Sequence, residues 1–453
     1  ILGTNSIKAT GFDVANSARF QNAQLLRTNS GSTSTNIDKY TISVWLKRSK
    51  LGVDSNIIAD TDGSNNYYQI YFKSDDTIRW QEYLSGSQSG ALITNRKFRD
   101  VGAWYNLIFR YDSSLGTAGD RMRMYVNGVE ETSFSTDVNP SQNANGHFGE
   151  ASSQKCIADN NADGREYFGY MCEFMGVDGQ SLAPDQFGEF DSDSGIWKPI
   201  DISGITQGVH GFYLKFEDSS DLGVATLGSN WTGAGLAATD QSTDTCTNNF
   251  CTMNPLANFV TAAAFSEGNL VTSFANGRGA CTSTFGLTTG KWYVEMNITT
   301  MPADERFGLG ISPFETKAED LPHEANNQGL DISGYNAVIY ANLDDGSQVI
   351  DNFFGNNTTR FDSFTGIIGM ALDLTSSTKT IAFSKAGAWV TGGGTSDTDF
   401  SNALEVDIST AFARHSVWHV ASGTGNGDGT NGIFSMNFGS PAFAISSGNT
   451  DGN

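Results

Sequence analysis

The chain has 453 residues and a formal net charge of −23, from 50 acidic and 27 basic side chains. This length predicts several domains, and the acidity argues against a nucleic-acid-binding protein, which would need a basic surface. The 30 Phe, 14 Tyr and 8 Trp residues argue against intrinsic disorder, and no apolar run is long enough to predict a transmembrane helix or membrane insertion.

Short segments in which apolar and polar residues alternate run through the first 182 residues and predict β-strands. Three of them are 40–48 (YTISVWLKR), 106–111 (NLIFRY) and 121–129 (RMRMYVNGV). The third contains Asn127-Gly128, a strong signal for a two-residue hairpin turn. We therefore predict one β-sandwich over residues 1–182.

The segment 183–284 is rich in Ser, Thr, Asn, Asp and Gly and has few stretches with strand periodicity. Residues 184–190 are the best helical candidate, with roughly two turns. The segment also holds Trp197, Phe212 and Trp231, and a flexible linker would not contain so many large aromatic residues. We predict an irregular but ordered connector that packs over one or both sandwiches.

Alternation returns in the segment 285–445, for example in 291–298 (KWYVEMNI) and 368–374 (IGMALDL). It predicts a second sandwich, followed by a frayed tail at 446–453 that has no core residues. The predicted fold class is therefore all-β, with two antiparallel, jelly-roll-like β-sandwich domains joined by the ordered connector.

Both sandwiches resemble known families. The first resembles a laminin-G-like, concanavalin-A-type domain in the segments 18–20 (ARF), 103–108 (AWYNLI) and 122–129 (MRMYVNGV). The second resembles a SPRY domain in 290–295 (GKWYVE), 307–312 (FGLGIS) and 380–385 (TIAFSK). A fold of either kind does not imply a function by itself.

The order of the two domains resembles virion structural proteins of tailed bacteriophages. That resemblance implies a non-enzymatic tail fibre, spike or head-decoration protein located on the virion. Other virion subunits, further copies of the chain (a trimer above all) and host cell-surface glycan are then the expected partners. The alternative is a secreted or cell-surface lectin-like protein that binds polysaccharide. A polysaccharide-degrading enzyme is less favoured, because no pair of carboxylates has suitable spacing.

Carbohydrate recognition needs aromatic platforms with neighbouring amides and carboxylates that bind hydroxyl groups. Tyr67 and Tyr68 follow two asparagines, and Tyr335 and Asn336 lie in a second loop-like stretch. We predict these four residues as glycan or partner contacts. The alternative is that the tyrosines belong to the core.

The segment 159–164 (DNNADG) has the oxygen ligands and the glycine of a calcium loop. An EF-hand is excluded, because Tyr170 stands at the twelfth position, where a bidentate Glu is needed. Asp159, Asn161 and Asp163 remain candidate calcium ligands in a β-turn. The alternative is an ordinary tight turn, which favours the same residue types.

The chain has five cysteines and no CxxC pair, which argues against a zinc ribbon. Cys156 could pair with Cys172 across a hairpin, and Cys246 could close a small loop with Cys251. Cys281 would then be left over. Five reduced, buried thiols are the alternative, since a free cysteine packs as a small apolar residue.

Overall fold

The computed structural model describes residues 11–32, 34, 36–63, 65–159, 164–260, 263–275, 279–300, 307–313, 339–342, 366–391, 396–413, 416–424 and 431–440. Within these ranges the regular secondary structure is almost entirely antiparallel β-strand, which confirms the predicted fold class. The described helical segments are the 3₁₀ turns Ala118–Asp120, Pro184–Gln186, Ala238–Asp240 and Phe400–Asn402 and the α-helix Ser409–Phe412. None of them is long and apolar enough to cross a membrane.

The chain folds as two compact units that divide between Asn249 and Phe250. The structure thus differs from the predicted organisation, in which a connector spans 183–284 between two sandwiches. Residues 183–249 belong to the first unit, and the described residues from 250 onward belong to the second. The predicted tail at 446–453 lies outside the described residues.

The first unit contains nineteen described strands. In chain order they are Ser17–Phe20 (β1), Gln24–Thr28 (β2), Lys39–Arg48 (β3), Ser55–Thr61 (β4), Tyr67–Phe72 (β5), Ile78–Leu84 (β6), Ser87–Thr94 (β7), Tyr105–Asp112 (β8), Met122–Val126 (β9), Val129–Glu131 (β10), Phe134–Val138 (β11), Gln154–Ile157 (β12), Gly169–Asp178 (β13), Gly188–Phe190 (β14), Trp197–Pro199 (β15), Phe212–Leu214 (β16), Leu227–Gly228 (β17), Thr232–Ala234 (β18) and Gln241–Ser242 (β19).

These strands form two main sheets. Sheet I has the order β10-β9-β8-β3-β13-β1-β19, with β16 beside β13 and β17 beside β16. Sheet II has the order β11-β7-β6-β5-β4-β12-β2-β18, and β14 and β15 form a separate two-stranded ribbon. Apolar residues of both sheets share one buried cluster, for example Val44 and Phe109 of sheet I with Ile70 and Leu92 of sheet II. The two sheets therefore pack face to face as a β-sandwich.

Residues beyond 182 complete this sandwich. Phe212, Phe216 and Trp231 are buried in the core between the sheets. On the opposite face of sheet I, Trp197 packs with Trp45 and Cys172 in a second buried cluster. This arrangement accounts for the aromatic residues of 183–249, because they cover apolar surface that the first 182 residues leave open.

The second unit contains fourteen described strands. They are Met253–Val260 (β20), Ala264–Ser266 (β21), Val271–Phe274 (β22), Gly279–Ser283 (β23), Lys291–Thr300 (β24), Phe307–Pro313 (β25), Ile339–Asn342 (β26), Gly366–Asp373 (β27), Thr380–Lys385 (β28), Ala388–Val390 (β29), Ser396–Asp397 (β30), Val406–Asp407 (β31), Trp418–Thr424 (β32) and Gly432–Asn437 (β33).

The second unit is also a two-sheet structure. Sheet III has the order β20-β23-β32-β25-β26, and sheet IV has the order β21-β22-β33-β24-β27-β28-β29-β30 with β31 beside β28. Trp418 of sheet III and Met296 and Met370 of sheet IV share one buried cluster. Met253 and Phe274, which precede the predicted start of this sandwich at 285, lie in the same core.

The hairpin predicted at Asn127-Gly128 is confirmed. β9 pairs with β10 directly across this turn, with Val126 opposite Val129. Both turn residues have positive φ, 49° at Asn127 and 75° at Gly128. Such a turn matches the right-handed twist of the flanking strands, which is why Asn-Gly favours it.

Candidate functional site

The consecutive residues Tyr67 and Tyr68 point to opposite faces of β5. Tyr68 is fully buried with Ile70 and Phe72 in the core of the first sandwich, so its predicted role as a glycan contact is wrong. Tyr67 is half-buried on the outer face of sheet II. The physical reason is the alternation of side chains along a strand, which allows only one of two neighbours to face outward.

Tyr67 has an aromatic partner on the same face. It lies directly opposite Tyr83 of β6, and the two rings stack with centroids 4.6 Å apart and planes 10° apart. Burial and the neighbouring Tyr83 hydroxyl raise the pKa of Tyr67 to about 12. The two rings therefore lie face to face on the outside of the sheet, and each leaves one face free of the other ring.

Two amide side chains and a third tyrosine follow on the same face of these strands but are buried, with Gln69 4%, Gln81 5% and Tyr71 4% exposed. Gln69 and Gln81 lie opposite each other, and Gln81 Nε2 donates to Gln69 Oε1 at 3.0 Å. Arg165 Nη1 donates to the same oxygen at 3.1 Å, and its guanidinium lies 4.9 Å from the centre of the Tyr71 ring. We call Tyr67, Gln69, Tyr71, Gln81 and Tyr83 the sheet II platform.

Two turns hold the end of the platform beside the tyrosines. The backbone N–H of Ser85 donates to Asn66 Oδ1 at 2.6 Å, and the N–H of Gly86 donates to the carbonyl of Asn65 at 2.9 Å. Asp62 accepts from the backbone N–H groups of Asn65 and Asn66. These bonds join the β4–β5 turn to the β6–β7 turn, so polar groups flank Tyr67 and Tyr83 in a fixed arrangement.

The other predicted glycan contacts, Tyr335 and Asn336, lie outside the described residues. The same holds for two of the three candidate calcium ligands, Asn161 and Asp163. Asp159 follows β12, and its backbone carbonyl accepts from Asn56 Nδ2 at 2.5 Å. In the part of the chain that the structure describes, no three His, Cys, Asp or Glu side chains are grouped to hold a metal ion.

The predicted cysteine pairs are not formed. No disulfide joins any of the five cysteines, which all lie in the described ranges and are buried, as in the alternative of reduced thiols. Cys156 lies on β12 of sheet II, whereas Cys172 lies on β13 of sheet I. Cys172 is instead next to Cys246, with 3.8 Å between the sulfur atoms. Spacing along the chain could not identify this pair, because the residues after 182 fold back over sheet I.

A row of charged residues inside the sandwich was not foreseen from the sequence. Arg27, Lys155 and Asp60 lie side by side on β2, β12 and β4 and are buried. Lys155 Nζ is 2.6 Å from Asp60 Oδ2 and also donates to Asn29 Oδ1 at 2.9 Å. Burial lowers the pKa of Lys155 to about 8 and that of Arg27 to about 10.

The row continues to Glu82 of β6, which is fully buried. The Tyr40 hydroxyl donates to Glu82 Oε1, and the backbone N–H of His147 donates to Oε2 at 3.2 Å. Burial raises the pKa of Glu82 to about 8. The sequence held an indication of this row, because the charged residues stand at alternate strand positions, on the same face as buried apolar residues such as Ile70 and Ile157. Because they are enclosed and paired, we assign them to the stability of the sandwich.

Residues 20–177 match the profile of the Concanavalin A-like lectin/glucanases superfamily, of the laminin G type. The match covers most of the first sandwich and confirms the laminin-G-like, concanavalin-A-type resemblance of that segment. No curated protein matches the chain.

Three solved structures illustrate the structural likeness. A heptameric SAP-like pentraxin from Limulus polyphemus is 17% identical, with 39% of this chain and 82% of that chain covered and a TM-score of 0.28. A putative carbohydrate binding protein from Bacteroides ovatus is 15% identical (49% and 59% covered, TM-score 0.34). The SPRY domain of human HERC1 is 15% identical (41% and 96% covered, TM-score 0.28). The chain thus spans 59% of the Bacteroides protein. Because the identities are only 15–17% and the TM-scores 0.28–0.34, these likenesses carry no inference about ligand or activity.

Proposed function

We propose that the chain is a non-enzymatic carbohydrate-binding protein and that the sheet II platform is its binding surface. The observation that carries the proposal is the stacked pair Tyr67 and Tyr83 on the outer face of sheet II, beside the side-chain amide of Asn66. Aromatic faces accept the apolar face of a sugar ring, and amides both donate to and accept from hydroxyl groups. The superfamily matched by residues 20–177, which includes lectins by its description, supports this reading.

Binding without hydrolysis is supported by the composition of the same face. Glycoside hydrolysis requires two carboxyl groups that flank the scissile bond. Alternation assigns neither Asp nor Glu to the outer face at any described strand position of sheet II. Asp60 and Glu82, which lie on these strands, are buried in the core, and Asp137 is an exposed carboxylate of the edge strand β11, opposite the core residue Leu92.

A glycan array probed with the full chain tests the platform. We expect Tyr67→Ala to weaken retention of the recognised saccharide by at least about tenfold in Kd, which corresponds to about 1.4 kcal/mol. Phe190→Ala is the matched control, because Phe190 is an aromatic residue of the same unit with 52% exposure and lies on the β14–β15 ribbon. It should leave Kd within twofold of the wild type, and both melting temperatures should be recorded.

Two results would overturn the proposal. One is a folded wild-type chain that retains no saccharide on the array. The other is a Tyr67→Ala variant with unchanged Kd, since the stacked pair would then make no contact with the sugar. Release of a reducing sugar from a bound polysaccharide would overturn the non-enzymatic part alone.

We also propose that the glycan-binding chain works on a virion, as a tail fibre, spike or head-decoration protein, with other virion subunits and further copies of itself as partners. The support is the order of a laminin-G-like segment followed by a SPRY-like one. Light scattering of the purified chain should give the mass of an oligomer, with a trimer favoured. Antibody labelling in electron microscopy should mark particles; a monomer without particle labelling would favour a secreted lectin-like protein instead.

A further inference from the structure

The second unit has a pocket of its own on the outer face of sheet IV, with a volume of about 220 Å³. Its floor lies on three neighbouring strands, where Tyr293 of β24 is opposite Ala371 of β27 and Ala371 is opposite Ala382 of β28. Two methyl groups beside an aromatic ring leave a depression that larger side chains would fill. We call this depression the sheet IV pocket.

Tyr293 is held in place at the pocket by a hydrogen bond to a buried carboxyl group. Tyr293 Oη donates to Glu295 Oε1 at 3.0 Å, and Glu295 is fully buried and also accepts from Asn437 Nδ2 at 3.1 Å. A Cβ atom added at Gly369 would lie 2.5 Å from Tyr293 Oη. Glycine at this position therefore leaves the space that the tyrosine ring occupies, and the ring is preorganised rather than mobile.

Phe400 adds an exposed aromatic ring to the pocket. It retains 43% exposure, which is unusual for a large apolar side chain in the described part of the molecule. Its ring is 4.6 Å from that of Trp389 at an angle of 82°, and Trp389 is 6.1 Å from Tyr293. Tyr293 and Phe400 therefore both contribute aromatic rings to the lining of the pocket.

The rim carries groups of both charges and a hydroxyl. Thr380 Oγ1 donates to Glu405 Oε1 at 3.1 Å, and Lys291 Nζ lies 3.2 Å from Asp373 Oδ2. These side chains can accept from and donate to a ligand, while the two carboxylates disfavour an anion and the ammonium group disfavours a cation. The charge pattern thus fits a neutral ligand rich in hydroxyl groups.

We propose that the sheet IV pocket binds one sugar ring of a neutral saccharide and is a second glycan site, separate from the sheet II platform. The pocket is smaller than the 300–1,000 Å³ typical of drug-sized ligands, so it suits a single ring. The ring's apolar face packs on the floor, and its hydroxyl groups bond to Glu405 and Lys291. An aliphatic peptide side chain would cover the same floor but would desolvate Glu405 and Thr380 without a new hydrogen bond, which is unfavourable.

The test uses the full chain with Tyr67→Ala and Tyr83→Ala in place, so that the sheet II platform does not contribute. Saturation-transfer NMR and calorimetry with a panel of neutral methyl glycosides measure what remains. Ala371→Leu should weaken the residual binding at least tenfold by filling the pocket, and Phe400→Ala should weaken it by removing one ring. Leu256→Ala is the matched control, because Leu256 is an apolar residue of the same unit with 62% exposure; it should change nothing.

The outcomes separate the two sites. If no glycoside binds on the Tyr67→Ala/Tyr83→Ala background while the wild type does bind, the sheet IV proposal falls and the sheet II platform stands. Residual binding that Ala371→Leu and Phe400→Ala both leave intact in folded protein also overturns it. A hydrophobic peptide that binds at the pocket when no glycoside does would assign it to a protein partner instead.

Discussion

At the scale of single residues, the buried row of charges sets how the first sandwich responds to pH. Glu82 is enclosed by the core, and its carboxylate is held by the Tyr40 hydroxyl and the His147 amide. Burial nevertheless dominates and raises the pKa of Glu82 from 4.5 to about 8. Glu173, bonded to the Tyr213 hydroxyl, follows the same pattern, with a pKa raised by burial to about 7.

We expect the stabilisation that Glu82 and Glu173 give the first unit to be lost as the pH rises from 4.5 to 8. At these two carboxyl groups the folded state holds more protons than the unfolded state, so their stabilisation is complete below pH 4.5 and is lost as the pH passes the folded pKa. His147 and His210, whose pKa values burial lowers, act in the opposite direction as the pH rises towards 6.5. Glu82→Gln should flatten the slope by up to about 1.4 kcal/mol per pH unit, the limit for one proton. The change of stability with pH is measured by hydrogen exchange of the β6 backbone amides at a series of pH values.

Glu130→Gln is the control for this experiment, because Glu130 is exposed on β10. The stability of the Glu130→Gln variant should change with pH as that of the wild type does. A Glu82→Gln profile with the wild-type slope would show that Glu82 does not take up the extra proton.

At the scale of elements, alternation explains both the success and the failure of the site prediction. A pattern with period two predicts that a strand exists, and it also assigns Tyr67 and Tyr68 to opposite faces. It does not indicate which face is the core, because both residues are tyrosines. Only the packing of Tyr68 with Phe148 and Tyr40 decides that Tyr68 lies inside.

The Asn127-Gly128 hairpin offers a test at this scale. Gly128→Ala should destabilise the first unit by about 1–3 kcal/mol, because alanine is strained at a positive φ. A further loss of stability is expected because the new Cβ would lie 2.3 Å from Cε3 of Trp197. Gly52→Ala is the matched control, since Gly52 has nearly the same φ, 74°, and no heavy atom within 4 Å of the added Cβ. Urea denaturation should give the larger loss for Gly128→Ala; equal losses would mean that the Trp197 contact is unimportant.

At the scale of the whole molecule, the boundary between the units follows from which residues complete each core. Phe212, Phe216 and Trp231 lie between sheets I and II. Ile108 and Met175, on the other face of sheet I, are buried with Phe187 and Ile202. A sandwich that ended at residue 182 would lack these partners.

Two fragments test this boundary. Fragment 11–249 should unfold cooperatively in a thermal scan, because it contains every partner of its core. Fragment 11–182 should aggregate or bind a dye for exposed apolar surface, since both faces of sheet I would be incompletely covered. Equal melting temperatures for the two fragments would show that 183–249 contributes little.

The sequence by itself determined the all-β class, the hairpin at Asn127-Gly128 and the aromatic character of the candidate site, since these follow from alternation, turn chemistry and composition. Tertiary structure alone decided that Tyr67 pairs with Tyr83, that Cys172 lies beside Cys246, and that 183–249 belongs to the first unit. Each of these depends on which distant segments cover a face of a sheet. Local patterns show that a strand has two faces, but the partner of each face is set by the free energy of packing the whole unit.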